Sequence, residues 1–310
     1  MSKKITIIGS YNVGFFFRGE RMPEVGETII GHEFIEGGGG KGSNQAVAAA
    51  TFGADTTFIG KLGADKYAID ALNMYKKKGI SIDRINIVPG VNSGMSVMII
   101  DNKGNNMISV IPGANFLFST SDIDSEKQVI ESSYITGFQL ENNHDAVFYG
   151  IRKAKEWGSI TFLDPAPATV LPDDLYPYIY IIKPNETEAS ILTGIEVNDI
   201  ESAKSAGRWL LKKGVQKAIV TLGEKGVVLV SKDEEQFFPA PKVEAVDTTG
   251  AGDIFSGCFL AALAHDRPLH DSIECAVCAA SLSTTKMGVI ESIPTINELT
   301  DFQAQICKRK

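Results

Sequence analysis

Short apolar runs of strand length alternate with amphipathic stretches along most of this chain. The first run is 5–8, ending at Gly9, and a polar, glycine-dotted segment follows it as far as Gly31. A short strand is predicted over 28–35 and a glycine-rich turn over 37–42. An alanine-rich helix follows over 43–51 with Ser43 as its N-cap. The pattern then predicts a strand over 57–60 and an amphipathic helix over 65–78 ended by Gly79. Two apolar runs, 95–100 and 107–111, flank Asp-Asn-Lys-Gly-Asn-Asn and read as a hairpin. Together with 28–35 they suggest a small sheet apart from the main one. Beyond residue 121 the alternation is regular. Strands are predicted over 133–136, 160–164, 179–183, 218–222 and 227–231, and helices over 143–157, 186–193, 199–213, 252–265 and 269–286. Such alternation implies an α/β fold whose sheet is mostly parallel and covered on both faces. Ligand sites in these folds lie beyond the carboxyl ends of the strands.

At 310 residues the chain suits one large α/β domain or two ordinary ones. A formal net charge of −8 argues against a general nucleic-acid surface. An anionic ligand must then be met locally, by backbone amides, a metal ion or a few cations. The apolar run after Met-Ser-Lys-Lys is too short for a signal core or a membrane span, which leads us to expect a cytoplasmic protein. The cysteines, Cys258, Cys275, Cys278 and Cys307, crowd towards the end without the spacing of a disulfide framework. Cys275 and Cys278 form a CxxC inside an alanine-rich helical pattern, which predicts buried thiols and not a metal or redox site.

Four segments carry chemistry. In Asp247-Thr-Thr-Gly-Ala-Gly-Asp253-Ile-Phe-Ser-Gly257, a strand-like stretch over 242–246 runs into two glycines and then a helix. Successive N–H groups at such a helix start form an anion site, which glycine lets a ligand approach closely. Asp253, in the first turn, is placed to accept a hydroxyl proton while that site holds a transferring phosphoryl group. A lone Gly-x-Gly-Asp would read as a helix cap. The second segment, Glu36-Gly-Gly-Gly-Gly-Lys41-Gly-Ser-Asn44-Gln-Ala, contains a literal G-x-G-x-x-G but lacks the leading parallel strand of a dinucleotide site and the Gly-Lys-Ser/Thr of a Walker loop. It reads either as a flexible turn or as a close approach to a polyhydroxy ligand, with Lys41 and Asn44 as hydrogen-bonding groups. In Pro184-Asn185-Glu-Thr-Glu188-Ala, Asn185 and Glu188 share one helix face. They can position a hydrated Mg²⁺ or simply enrich a helix start in acids. Val220-Thr221-Leu-Gly223-Glu-Lys-Gly226 is a strand, tight turn and second strand; by itself it reads as an ordinary hairpin, and its turn can also line a nucleotide.

In this order the four segments resemble the ribokinase-like (PfkB) family of carbohydrate kinases over nearly the whole chain. Asp164-Pro-Ala-Pro-Ala, Pro184-Asn-Glu-Thr-Glu-Ala and Asn12 after the first strand resemble its ribokinase branch in particular. The resemblance implies one kinase domain over 1–310, a Rossmann-like three-layer core with a small β-sheet lid formed by about 11–35 and 90–112. The lid often supplies a dimer contact. It also implies MgATP as donor and a sugar hydroxymethyl group as acceptor, ribose above all. Residue by residue, Asp253 matches the base, and Gly250, Ala251 and Gly252 the anion hole. Asn12, Gly40, Lys41, Asn44 and Glu141 match sugar contacts. Asn185, Thr221, Gly223, Gly226 and Gly252 match the nucleotide side, with Asn185 and Glu188 also near Mg²⁺. Asp247, Thr249, Ser283, Gly288 and Ser292 match positions that hold K⁺, mostly through backbone carbonyls.

The chain departs from that pattern at Gly14, where ribokinases typically carry an Asp that binds ribose hydroxyls; Phe15, Phe16 and Phe17 follow it. A hydrogen bond to a charged group contributes about 1.5–3 kcal/mol, so its loss should weaken ribose binding by about ten- to a hundredfold unless another group compensates. The three phenylalanines read as lid packing for at least two of them, with one left to line a pocket for a less polar or bulkier acceptor. Arg18 and Arg21 read as solvated. A nucleoside kinase, using Phe15–Phe17 to stack a base, and a non-catalytic sugar binder are the competing functions.

Overall fold

The computed structural model describes residues 2–103 and 105–307; Gly104 of the predicted hairpin turn, Met1 and the last three residues lie outside the described part. In chain order the strands are β1 (Lys4–Ile8), β2 (Asn12–Arg18), β3 (Glu33–Gly39), β4 (Asp55–Gly63), β5 (Ile85–Val88), β6 (Gly94–Ile100), β7 (Asn106–Ile111), β8 (Ile135–Phe138), β9 (Ile160–Leu163), β10 (Ile181–Ile182), β11 (Lys217–Thr221), β12 (Gly226–Ser231) and β13 (Glu235–Pro239). The α-helices are α1 (Lys41–Thr51), α2 (Lys66–Lys77), α3 (Thr120–Ser125), α4 (Lys127–Glu131), α5 (His144–Glu156), α6 (Glu186–Thr193), α7 (Ile200–Lys213), α8 (Ala251–Ala264), α9 (Leu269–Ser283) and α10 (Ile296–Cys307).

Nine strands form one sheet in the order β13-β12-β11-β10-β9-β8-β1-β4-β5. From β11 to β5 every pair is parallel, and β12 and β13 add antiparallel at one edge. The central strands are buried on both sides and mostly apolar because helices cover both faces. One face buries α1, α8 and α9 against Ile5, Ile7, Phe162 and Ile219. The other buries α5, α6 and α7 against Ile8, Phe138, Leu163 and Val220. This is the predicted three-layer α/β architecture.

Four strands form a second sheet, ordered β3-β2-β6-β7. The hairpin of β6 and β7 falls where it was expected. The strand predicted over 28–35 is displaced: β3 is Glu33–Gly39, so much of the glycine run is extended strand, not turn. Its glycines pair with β2 from Asn12 to Gly14. Helix α1 begins at Lys41 behind Gly40, whose φ of 89° belongs to the left-handed region, and Ser43 is buried inside the helix and is not its cap. Gly40 is required there, because a Cβ would lie 2.6 Å from the Asn12 amide nitrogen. The stretch 242–246 is not a strand: Val246 and Asp247 donate their amides to the Thr284 carbonyl beyond α9.

Helices α1 and α8 touch backbone to backbone. A Cβ on Gly257 would lie 2.4 Å from the Ala48 Cβ and 2.6 Å from the Gln45 carbonyl oxygen. Gly257→Ala should therefore destabilise the protein by about 1–3 kcal/mol through overpacking. That outweighs the gain of about 1 kcal/mol that alanine brings to a helix interior. Urea unfolding of the variant measures the difference. This close approach sets the first turn of α1 beside the first turn of α8, where the candidate chemistry lies.

Candidate active site

The N-terminus of α8 is an amide cradle. Gly250, its N-cap, has φ 75°, and Val289 occupies the place of a Cβ there, with Cγ1 at 2.3 Å. The N–H groups of Gly250 and Gly252 donate to no carbonyl among the described residues, and that of Ala251 makes only a 3.3 Å contact with the Thr248 carbonyl. These amides sit at the positive end of a fourteen-residue helix.

Asp253 lies in the first turn of α8 and is 6% exposed. Its Oδ2 accepts from Asn44 Nδ2 at 2.9 Å and its Oδ1 from Gln45 Nε2 at 3.2 Å. Burial pushes this carboxyl above its ordinary range; Lys41 pulls it back, Asp164 pushes it further up, and the net direction is upward. Burial disfavours the Lys41 ammonium, but Asp253, Asp164, Glu141 and Glu188 together outweigh burial and raise its pKa. Lys41 is thus held as a cation among four carboxylates.

A second buried network was not anticipated. Asp164 and Lys183 follow β9 and β10 directly and form an ion pair of 2.7 Å, with side chains 2% and 5% exposed. Gln45 Nε2 donates to Asp164 at 2.8 Å and Gln139 Nε2 to Gln45 Oε1 at 2.6 Å. Lys183 also donates to the Gly252 carbonyl at 3.2 Å, and Ser256 to Asp164 at 3.2 Å. The network fixes the underside of the cradle. The sequence signal available was two charged residues, each before a proline, at carboxyl ends of buried strands.

On the other side of Asp253 the predicted polyhydroxy-contact residues converge. Glu141 Oε2 accepts from Ser10 Oγ, from Asn12 Nδ2 at 3.3 Å and from the Lys41 amide at 2.9 Å, with no described partner on Oε1. Asn12 is pinned by Asn115, whose Nδ2 donates to its Oδ1 at 2.9 Å. Asn44 Oδ1 is buried without a partner and lies 3.9 Å from where a Gly39 Cβ would be. A Cβ on Gly37 would meet nothing within 4 Å. Asn12, Gly14, Gly37 and Gly39 present one face of the small sheet, so β2 and β3 floor a trough that begins at Asn44 and Asp253. Of the three phenylalanines, Phe15 and Phe17 leave this face: Phe15 packs on Phe34 and Tyr67 with ring centroids 6.3 and 5.7 Å away, and Phe17 on Phe34 at 5.2 Å. Only Phe16 belongs to the trough side, so the three rings do not make one stacking surface. Arg18 and Arg21 each pair with an acid, Glu33 and Glu27.

Across the cradle, Asn185 and Glu188 form a reciprocal cap on α6, each accepting from the other's amide at 2.8 Å. Glu188 Oε1 has no described partner. Burial and then Asp164 raise the Glu188 carboxyl, against the pull of Lys183. Thr221 bridges to Asn185, and Gly223 stands at φ 51° in the turn after it. Gly226, at φ 128°, is pressed against β13, where a Cβ would lie 2.1 Å from the Phe238 carbonyl oxygen. Among the described residues no three His, Cys, Asp or Glu side chains group as a metal cage. A single carboxylate with one open oxygen fits Mg²⁺, which keeps waters and binds through one or two carboxylates plus phosphates.

Behind the cradle, Asp247 accepts from the Thr249 amide at 2.9 Å and the Gly288 amide at 3.1 Å, joining the loop before α8 to the loop after α9. Ser283 ends α9, and Ser292 donates to the Val289 carbonyl at 2.9 Å, where Val289 covers Gly250. The carbonyls of Asp247, Thr249, Gly288 and Ser292 accept no described hydrogen bond, whereas that of Ser283 accepts from the Lys286 amide at 3.1 Å. Free carbonyls on two loops joined through Asp247 suit a large, weakly hydrated monovalent cation. Of the CxxC thiols, Cys275 is buried 3.7 Å from Cys258 and Cys278 is half-buried. Among the described residues no helix is long and apolar enough to cross a membrane.

An amide cradle facing a carboxylate, at the carboxyl ends of a parallel sheet with a second sheet beside it, defines an α/β phosphotransferase. The chain belongs to the pfkB family of carbohydrate kinases, whose model matches residues 2–296. It is therefore an ATP-dependent sugar kinase, and kinases of this family use magnesium ATP. Ribokinase of Haemophilus influenzae is 38% identical over 303 residues, covering 97% of this chain and 99% of that protein. Deoxyribokinase of Salmonella typhi is 35% identical over 299 residues, covering 96% of this chain and 98% of that one. The crystal structure of Thermotoga maritima ribokinase superimposes with a TM-score of 0.90 at 32% identity, covering 97% of this chain and 99% of that one.

Proposed function

We propose that this kinase transfers the γ-phosphoryl group of ATP to the hydroxymethyl oxygen of a ribose-class pentose, with D-ribose giving ribose 5-phosphate as the reference reaction. The observation that carries this reading is the Asn44–Asp253 hydrogen bond, 2.9 Å, which couples the hydroxyl-binding helix start to the amide cradle. The acceptor hydroxymethyl lies against Asp253, which takes its proton as the oxygen attacks. The amides of Gly250, Ala251 and Gly252 receive the equatorial oxygens of the transferring group, and preorganised donors of this kind are worth about 2.7–4 kcal/mol each. Glu141, Asn12, Lys41, Asn44 and Gly40 hold the sugar, offering Glu141 Oε1 and Asn44 Oδ1 as open acceptors. Asn185, Thr221 and Gly223 border the nucleotide, and Gly226 shapes their hairpin. Relatives named ribokinase and deoxyribokinase support a pentose acceptor.

Mg²⁺ would be held through water by Glu188 and Asn185, supplying charge neutralisation at the phosphates. K⁺ would be held by the carbonyls around Asp247, Thr249, Ser283, Gly288 and Ser292, supplying positive potential beneath the cradle. Glu188→Gln keeps an oxygen for the α6 cap but loses the charge. The Mg²⁺ concentration for half-maximal rate should then rise roughly tenfold or more, as measured by Mg²⁺ titration at saturating ATP. An unchanged titration would remove Glu188 from the metal site.

The chain forms one kinase unit in this reading, and the small sheet is its lid, extending past the sequence-based boundary at 35 to Gly39. The lid exposes Phe17, Phe34, Met107, Ile108, Val110 and Ile111, which supports a homodimer through the lid; sedimentation equilibrium should show twice the chain mass. A cytoplasmic setting goes with ATP as donor. ADP release across pentoses, hexoses and nucleosides, with Mg²⁺ and K⁺ present, tests the activity. Turnover of none of them would overturn it.

A further inference from the structure

The far end of the acceptor trough is hydrocarbon. Strand β2 runs away from Asn12 through Gly14 to Phe16, all three on one face. Neighbouring residues on a strand rise about 3.3 Å each, so Gly14 stands about 7 Å from Asn12. Phe16 is half-buried and leans back over Gly14: its Cε2 lies 2.7 Å from where a Gly14 Cβ would be. Its partners in register are Ile35 on β3 and Met98 on β6, so the same level is apolar across three strands. At the level of Gly14 the partners are Gly37, which has open space above it, and Ser96. One serine hydroxyl is thus the polar side chain these strands offer there.

A pentose that reacts at its hydroxymethyl, with that oxygen at Asp253, points its anomeric carbon and the adjacent ring carbon away from Asp253, along the trough. Ribose carries a hydroxyl on both. Ser96 can serve one. The other would face the Phe16 ring and lose its hydrogen bonds to water without replacement, which an apolar wall penalises.

Resting on the sugar-kinase reading above, we infer that Phe16 is a specificity-determining residue and that the preferred acceptor presents C–H, not C–OH, to it: a 2-deoxypentose. The ring fills the room that a polar side chain at position 14 would need, so the two positions act as a pair. An apolar wall discriminates against an added hydroxyl by about a hundredfold at most, so the preference should be roughly ten- to a hundredfold.

The test is the ratio of kcat/KM for 2-deoxy-D-ribose to that for D-ribose in the wild-type protein, with inosine as a third acceptor. The ratio should exceed ten. Phe16→Ser should bring it towards one, and the double variant Gly14→Asp/Phe16→Ser should invert it in favour of ribose. Gly14→Asp alone should lose turnover on both sugars, because the new side chain meets the ring. Ribose turned over as well as or better than deoxyribose by the wild type overturns the inference and leaves the sugar-kinase reading intact. Inosine far above both pentoses overturns it too, since the ring would then stack on a base. No turnover on any acceptor overturns both.

Discussion

Asp253→Asn should lower turnover by about 10²–10⁴-fold, the range for removing a positioned general base, while acceptor binding and the fold persist. An amide cannot take the hydroxyl proton, but it fits the same space. Two donors now point at the Asp253 carboxylate, Asn44 Nδ2 and Gln45 Nε2. One of them would face the new amide nitrogen. Asn44 can answer by rotating, because its Oδ1 is otherwise unpartnered. The sign of the stability change follows from the carboxyl, whose pKa burial raises above its ordinary 3.8. A folded-state value above the unfolded one means that the ionised form costs stability. That cost is absent below the ordinary carboxylate range and grows as pH rises through the folded value. At neutral pH, therefore, Asp253→Asn should unfold at or above the wild-type urea midpoint, and the difference should vanish in acid. The same upward shift should carry the acid limb of the wild-type kcat/KM profile above the usual carboxylate range. A variant that kept full turnover would remove Asp253 from the chemistry. One that lost binding and stability together would make it a structural residue.

Lys183→Met should cost about 3–5 kcal/mol of folding stability, because it strands a buried carboxylate. Asp164 Oδ2 would keep only Gln45 and Ser256, and its Oδ1 already lacks a partner. The Gly252 carbonyl would lose its lysine donor as well. Replacing both charges removes the uncompensated group. Lys183→Met/Asp164→Leu should recover much of the loss, since well-packed apolar substitutes for buried ion pairs are often near neutral. A double-mutant cycle by urea unfolding reads this coupling directly. The double variant should still turn over slowly, because Gln45 loses one of the two carboxylates it bridges. Additive effects in the cycle would mean that the pair does not act as a unit.

The parallel sheet was legible because its central strands are buried on both sides and read as short, mostly apolar runs between helices, broken only by small residues such as Thr6, Thr136 and Thr161. The edges were not. Strand β5 alternates weakly, with its middle residues exposed, and β13 is short and half polar. Helices α3 and α4 are only six and five residues long, too short for periodicity to register. The glycine run 37–40 reads as a turn by local propensity, yet it is mostly strand, because pairing with β2 demands extension and close approach. Strand β2 itself, with a glycine inside and aromatics after it, emerged as part of a second sheet only through the family resemblance.

The site was legible where a local string carries the geometry: Gly250 to Asp253 form one turn, and Lys41 and Asn44 one helix start. Asp164, Lys183, Gln45 and Gln139 were not, since they act through contacts between segments as much as 119 residues apart. The consequence of Gly14 was half legible. The missing carboxylate can be read from the chain, but the ring that fills its place depends on the lean of Phe16 over Gly14, a rotamer choice set by packing and not by local sequence.

The central claim is that phosphoryl transfer ends on the hydroxymethyl oxygen held at Asp253. Correlated phosphorus–proton NMR of the product formed from ATP and a pentose, with Mg²⁺ and K⁺ present, tests it most directly. Phosphorus should couple to the two hydroxymethyl protons. Coupling to the anomeric proton instead, or free phosphate with unmodified sugar, would contradict it.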